Sequence, residues 1–158
     1  MNLPKSLLKI LLACSVCAVL AALALAQEKR VKMSDLPEAV QKTVNEQSKG
    51  ATLKGLSTEV EKGKTIYEAE LMIDGHSKDI TIDPQGNVLE VEEQVQMSSL
   101  PEAVQSGIKQ SAGTSHVTLI ESVSKGGALQ YYECQVKKGG RKSEIKIGTD
   151  GKRIAKAE

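Results

Sequence analysis

A chain of 158 residues with no Phe, no Trp and three Tyr must build its core from Val, Ile, Leu and Ala, and has room for one ordinary domain or two very small ones. Its 21 Lys and Arg nearly balance 20 Asp and Glu, yet residues 27–96 hold 9 cations against 14 carboxylates and residues 97–158 hold 10 against 6. The acidic, aromatic-poor first half argues against nucleic acid as a partner. The opposed halves either orient a charged partner or are two surfaces that drifted apart.

Residues 1–26 read as a secretory signal peptide. Lys5 and Lys9 precede an apolar run from Ile10 to Leu23, and Ala24-Leu25-Ala26 is a small-x-small cleavage site before Gln27. The alternative is an uncleaved anchor, because the run approaches the roughly 17 residues a spanning helix needs. Leu11-Leu12-Ala13-Cys14 has the form of a lipobox, but cleavage there would leave a greasy tail and is rejected. With the signal removed only Cys134 remains, so no internal disulfide forms and stability rests on packing. The address is periplasmic or secreted, with no membrane association after cleavage.

After a short extension, 27–32, the chain repeats itself. "MSDLPEAVQKTV" at 33–44 and "MSSLPEAVQSGI" at 97–108 agree at 8 of 12 positions, and such self-similarity is an architectural signal. The units are 33–96 and 97–158. Each opens with a helix: Pro37 and Pro101 suit the first turn, Ser34 and Ser98 stand upstream as caps, and Leu36, Val40, Val44 and Leu100, Val104, Ile108 make one apolar stripe each. Gly50 and Gly113 mark the exits.

Four strands are predicted after the first helix, at about 51–60, 65–73, 78–82 and 88–93, from period-two alternation broken by turn residues. The joints are Glu61-Lys62-Gly63-Lys64, Asp74-Gly75 and Asp83-Pro84-Gln85-Gly86-Asn87, and the second unit answers with Lys125-Gly126-Gly127, Gly139-Gly140 and Asp150-Gly151. Tyr67, Ala69, Leu71 and Ile73 share one side with the matching Tyr132, Cys134 and Val136, and these should face the helices. Ile66, Glu68, Glu70, Met72 and Tyr131, Glu133, Gln135, Lys137 form the other, mostly polar side. The fold class is α+β, two tandem helix-plus-four-stranded antiparallel repeats. Units of about 62 residues bury too little to stand alone, so one tandem body is expected, its sheets continuous or packed.

The signal followed by "LPEAVQ", "GKTIYEAEL" and "ITIDPQGNVLEVE", then the pattern again, resembles the PepSY-like family, small secreted bacterial modules grouped with the beta-lactamase inhibitory protein. The resemblance runs from Met33 to Glu158 and rests on fold motifs: Pro37 and Pro101, Tyr67 and Tyr132, Gly86 and Gly151. It implies no catalytic residues and a role in restraining or inhibiting a peptidase or another envelope protein. The beta-lactamase inhibitory protein grips its target with an aromatic-rich sheet face. Here that face offers Tyr131, with Ile66 and Met72, which argues against tight beta-lactamase inhibition because interface hot spots favour aromatics.

Other groups carry little chemistry. Lys137, Lys138, Arg141 and Lys142 around Gly139-Gly140 make a basic hairpin able to hold an anionic partner or simply to solvate a turn and guard an edge. His76 and His116 are far apart in sequence and lack metal-ligand spacing. Asp83, Asn87, Glu90, Glu92 and Glu93 could attract calcium but lack the spacing of a calcium loop. Cys134 on an apolar side reads as a small buried side chain. No nucleophile elbow, phosphate loop or dinucleotide fingerprint is present. The sequence therefore points to a non-enzymatic module without cofactor or metal that binds a protein partner through Ile66, Met72, Tyr131 and the basic hairpin. The alternative is an envelope sensor of a small ligand or ion.

Overall fold

The computed structural model describes residues 28–155. Its frame follows from its turns. Lys62-Gly63, Asp74-Gly75, Gly126-Gly127 and Gly139-Gly140 each place both central residues at positive φ, as in Asp74 at 49° and Gly75 at 85°. That is the type I′ geometry whose twist matches that of the paired strands.

The elements in chain order are β1 (Lys29–Arg30), α1 (Glu38–Gln47), β2 (Thr52–Glu61), β3 (Lys64–Ile73), β4 (His76–Ile82), β5 (Val88–Gln94), α2 (Glu102–Ala112), β6 (His116–Lys125), β7 (Ala128–Lys138), β8 (Arg141–Gly148) and β9 (Arg153–Ile154). The strands form one antiparallel sheet in sequence order, β1 to β9. The two halves join through β5 and β6, from Glu90 opposite Lys125 to Gln94 opposite Glu121, so the sheet is continuous. β1 belongs to the stretch expected as a plain extension; it pairs with β2 at Arg30 and Ser57 and covers what would otherwise be an open edge.

Both helices lie on one face. Residues directly opposite in an antiparallel ladder share a face, and the row Leu71, Lys78, Glu93, Ser122, Tyr132, Ile147 runs from β3 to β8 without a break. On that face α1 packs Val40 and Val44 against Ala69, Leu71, Ile80 and Ile82. α2 packs Val104 and Ile108 against Ile120, Cys134, Ile145 and Ile147. The repeated Gln of the helix opening has a physical role: Gln41 Nε2 donates to the Leu36 carbonyl and Gln105 Nε2 to the Leu100 carbonyl, each at 2.9 Å.

Two local expectations shift. Pro37 and Pro101 occupy the position just before each helix, not its first turn. Ser34 and Ser98 do not cap; they sit in 3₁₀ turns over Met33–Asp35 and Met97–Ser99, because a Leu-Pro pair in extended backbone separates each turn from the helix.

Candidate functional site

The face away from the helices is where the charge collects. One ladder row runs Glu70, Asp79, Glu92, Val123, Tyr131 across β3 to β7, and a second runs Gln94, Glu121, Glu133, Lys146 across β5 to β8. Glu68 and Glu90 stand on a third row, with Thr81 between them, and Glu144 lies opposite Gln135. Every strand from β3 to β8 thus places a carboxylate on this one surface.

Three cations pair with these carboxylates, and Lys137 and Lys142 stand on the same face one ladder step beyond Gln135 and Glu144. Arg30 reaches from β1 to Glu70 at 2.7 Å and lies over Gly55, which has no side chain to obstruct it. Lys125 pairs with Glu90. Lys146 pairs with Glu133 at 2.9 Å and Glu144 at 3.4 Å, with its ammonium 5.0 Å from the centre of the Tyr131 ring. Burial opposes the Lys146 charge, but hydrogen bonding to and attraction by Glu133 outweigh it and raise its pKa.

The carboxylates are left with an excess. Burial first, then repulsion by Asp79, raises Glu68; burial, then Glu70, raises Asp79; burial, then Asp79 and Glu133, raises Glu121. Glu133 rises through burial despite Lys146. Glu92 is pushed up to about 8 by burial and by sharing a hydrogen bond with Glu90, so it holds its proton at neutral pH. These are the causes expected of crowded carboxylates out of bulk water. Glu121 is only 7% exposed, and among the described residues it has neither an ion pair nor a hydrogen bond.

The sequence-derived candidates fall into three places. Ile66 is nearly buried at 9% exposure and lines, with Tyr131, a hollow of about 530 Å³ on the open face. Met72 is half-buried opposite Ser77, toward the other end of β3. Lys137, Lys138, Arg141 and Lys142 are exposed at the β7–β8 hairpin, where Lys137 faces Lys142 and Lys138 faces Arg141. Among the described residues none of these four closes an ion pair.

The acidic stretch from Asp83 to Glu93 is taken apart by the fold. Asp83 closes its own turn, accepting the Gln85 and Asn87 backbone N–H groups and the Asn87 amide at 2.9 Å each. Hydrogen bonding to Asn87 holds its pKa low. Glu90 and Glu92 go to the open face and Glu93 to the helix face. His76 and His116 begin β4 and β6, and among the described residues no group of three His, Cys, Asp or Glu could hold a metal ion. Cys134 is fully buried, and burial, followed by the charges of Glu133 and Glu121, pushes its thiol up to about 11. The sequence reading missed the convergence of Asp79, Glu92 and Glu121. Their alternation within β4, β5 and β6 was the available signal, but only the ladder registers bring them together.

Two helices on one side of a continuous antiparallel sheet, with the other side left open and acidic, define a single-sheet α+β module that presents a surface rather than a deep cleft. The family described as "Putative beta-lactamase-inhibitor-like, PepSY-like" matches residues 24–90 and 67–154, and the chain belongs to that family. Its fold is similar to that of a Bacteroides eggerthii protein described as "putative periplasmic", at 17% identity and TM-score 0.63, over 76% of this chain and 86% of that one. It is also similar to a BLIP-like protein from Bacteroides fragilis, at 22% identity and TM-score 0.56, over 76% and 84%. No curated protein matches the sequence. No described helix is long and apolar enough to cross a membrane.

Proposed function

We propose that this PepSY-like chain is a non-catalytic periplasmic module that binds an envelope protein, such as a peptidase, through its open sheet face and restrains its activity. The observation that carries the reading is the asymmetry of the sheet. Helices cover one face, while the other keeps Val123 fully buried and Glu121 nearly so among exposed and half-buried polar groups. A face already partly stripped of water loses less on meeting a partner than a fully hydrated one. The leader-like N-terminus and the periplasmic description of the eggerthii protein support the location, and the BLIP-like relative supports protein binding.

The contact residues are Ile66, Met72 and Tyr131, with Lys137, Lys138, Arg141 and Lys142 at the corner. Tyr131 supplies the aromatic anchor that such surfaces favour. The test is capture from the envelope and secreted fractions of the source cell with the chain from Gln27 onward as bait, read by mass spectrometry. One enriched envelope enzyme, lost when Tyr131→Ala and Met72→Glu baits are used, is the expected outcome. Equal capture by those baits rules out the sheet face, and inhibition of the captured enzyme tests the restraining role.

A further inference from the structure

The outer edge of β8 is covered along only part of its length, and the first half of the chain shows what such an edge holds. The register of Tyr67 opposite Ile82 recurs in Tyr132 opposite Ile147, so β8 answers β4. β5 pairs with β4 from Lys78 to Ile82. Among the described residues β9 pairs with β8 only at Lys146 and Ile147. Arg141, Lys142 and Ser143 are exposed, and among the described residues no strand lies beside their outer edge. Such a row of open N–H and C=O groups is a template for an added strand.

Two further features decide what can pair there. Lys137 stands directly opposite Lys142, and Lys138 opposite Arg141, with His116 opposite Lys137 on its other side. Like charges placed so repel one another, and among the described residues none of the four hairpin cations closes an ion pair. Where β9 stops, a hollow of about 360 Å³ is walled by Tyr131, Ile145, Lys146 and Ile154, and Ile154 is 41% exposed. From the open edge, the opposed cations and this hollow we infer that β8 takes an extended acidic segment of the partner protein as an added strand. The segment runs antiparallel, as every strand pair here does, with carboxylates on Arg141 and Lys142 and an apolar side chain ahead of them at the hollow. The inference rests on the reading of the chain as a protein-binding module, but sets this contact on the edge of the sheet and not on its open face. Cations on an edge deter pairing with the same edge of a second copy and leave an acidic strand favoured.

The experiment is fluorescence anisotropy of a labelled, end-capped peptide, Ser-Val-Thr-Val-Glu-Glu-Ser, titrated with the chain from Gln27 onward. Saturable binding is expected at about 20 mM salt, weaker at about 200 mM, with slower amide exchange at Lys142 and Ser143. Two N-methylated forms of the peptide, blocking alternate N–H groups, carry the same charge and separate strand addition from attraction alone. One should lose about tenfold or more in affinity, because its blocked groups face β8, while the other binds as the parent peptide does. The double variant Arg141→Glu with Lys142→Glu should also lose about tenfold or more. It exchanges opposed like charges for opposite ones, so the hairpin stays folded, and a thermal melt checks it. No binding at low salt, equal binding of both methylated forms and the parent peptide, or equal binding by the double variant each overturns the inference. Binding seen only with Ala157→Pro overturns it too: residues 156–158 lie outside the described residues, and that result assigns the edge to the chain's own end. If the peptide binds and Met72→Glu captures a partner normally, the edge contact stands and the sheet-face contact does not. If the peptide fails while Met72→Glu abolishes capture, the sheet face stands and the edge contact does not.

Discussion

The Thr43 hydroxyl donates to the Gly86 carbonyl at 2.6 Å, tying α1 to the β4–β5 turn, and Gly107 stands at the corresponding place in α2. There the Gly151 carbonyl approaches so closely that a Cβ on Gly107 would collide with backbone. One half is joined by a hydrogen bond and the other by close contact. Thr43→Val should therefore cost about 1 kcal/mol, with Thr43→Ser nearly neutral. Gly107→Ala should cost a net 1–2 kcal/mol or so, because overpacking against backbone outweighs the helix-propensity gain of about 1 kcal/mol. Urea midpoints at constant slope check both.

Gly55→Ala offers the contrasting case. The Cβ would meet the Arg30 guanidinium, which is the far end of a flexible, exposed side chain and can swing away. The Arg30–Glu70 pair is lost, but a surface pair contributes about 1 kcal/mol at most. The expected result is a stability change under about 1 kcal/mol with faster amide exchange at Lys29 to Val31, where β1 loses its side-chain tether.

Stability should fall as the pH rises. Glu92 has an ordinary value of 4.5 and a folded value of about 8, so between these the native chain binds more protons than the unfolded one, and linkage lowers stability across that window. The favourable contribution is complete below pH 4.5 and gone above pH 8. Glu92→Gln keeps a donor toward Glu90 and should flatten the profile. At pH 8 it should gain about 1–2 kcal/mol, less than the full shift implies because the face is open to water.

Cys134 should resist modification in the native state. With its thiol raised to about 11 and no exposed surface, it has little thiolate at pH 8. A disulfide reagent should label it only at the rate of unfolding and fully in denaturant. Rapid labelling of the folded chain would mean that β7 opens locally.

Much of the frame was legible beforehand. The repeat at an offset of 64, the Asp74-Gly75 hairpin and the placement of Ala69, Leu71, Tyr132 and Cys134 toward the helices follow from chemistry within a few residues of each position. β1 was not legible, since Lys29 and Arg30 have no alternation to read and become a strand only because β2 offers an edge. The candidate surface was half visible. Alternation put Glu68, Glu70 and Glu133 on the polar side, but it could not align them with Asp79, Glu92 and Glu121, which depend on registers between strands far apart in sequence.

The sequence by itself determined two helix-and-strand repeats, because periodicity, proline placement and glycine turns act locally and need no partner. Only the tertiary structure decided that the repeats share one sheet and that carboxylates from both halves meet on one face of it. The second half is basic in sequence, yet Glu121, Glu133 and Glu144 stand beside the acids of the first half, while Lys137, Lys138, Arg141 and Lys142 project from a corner hairpin. The physical reason is the ladder itself: pairing β5 with β6 carries the pleat across the junction, so the face of every side chain in one half is set by the register of the other.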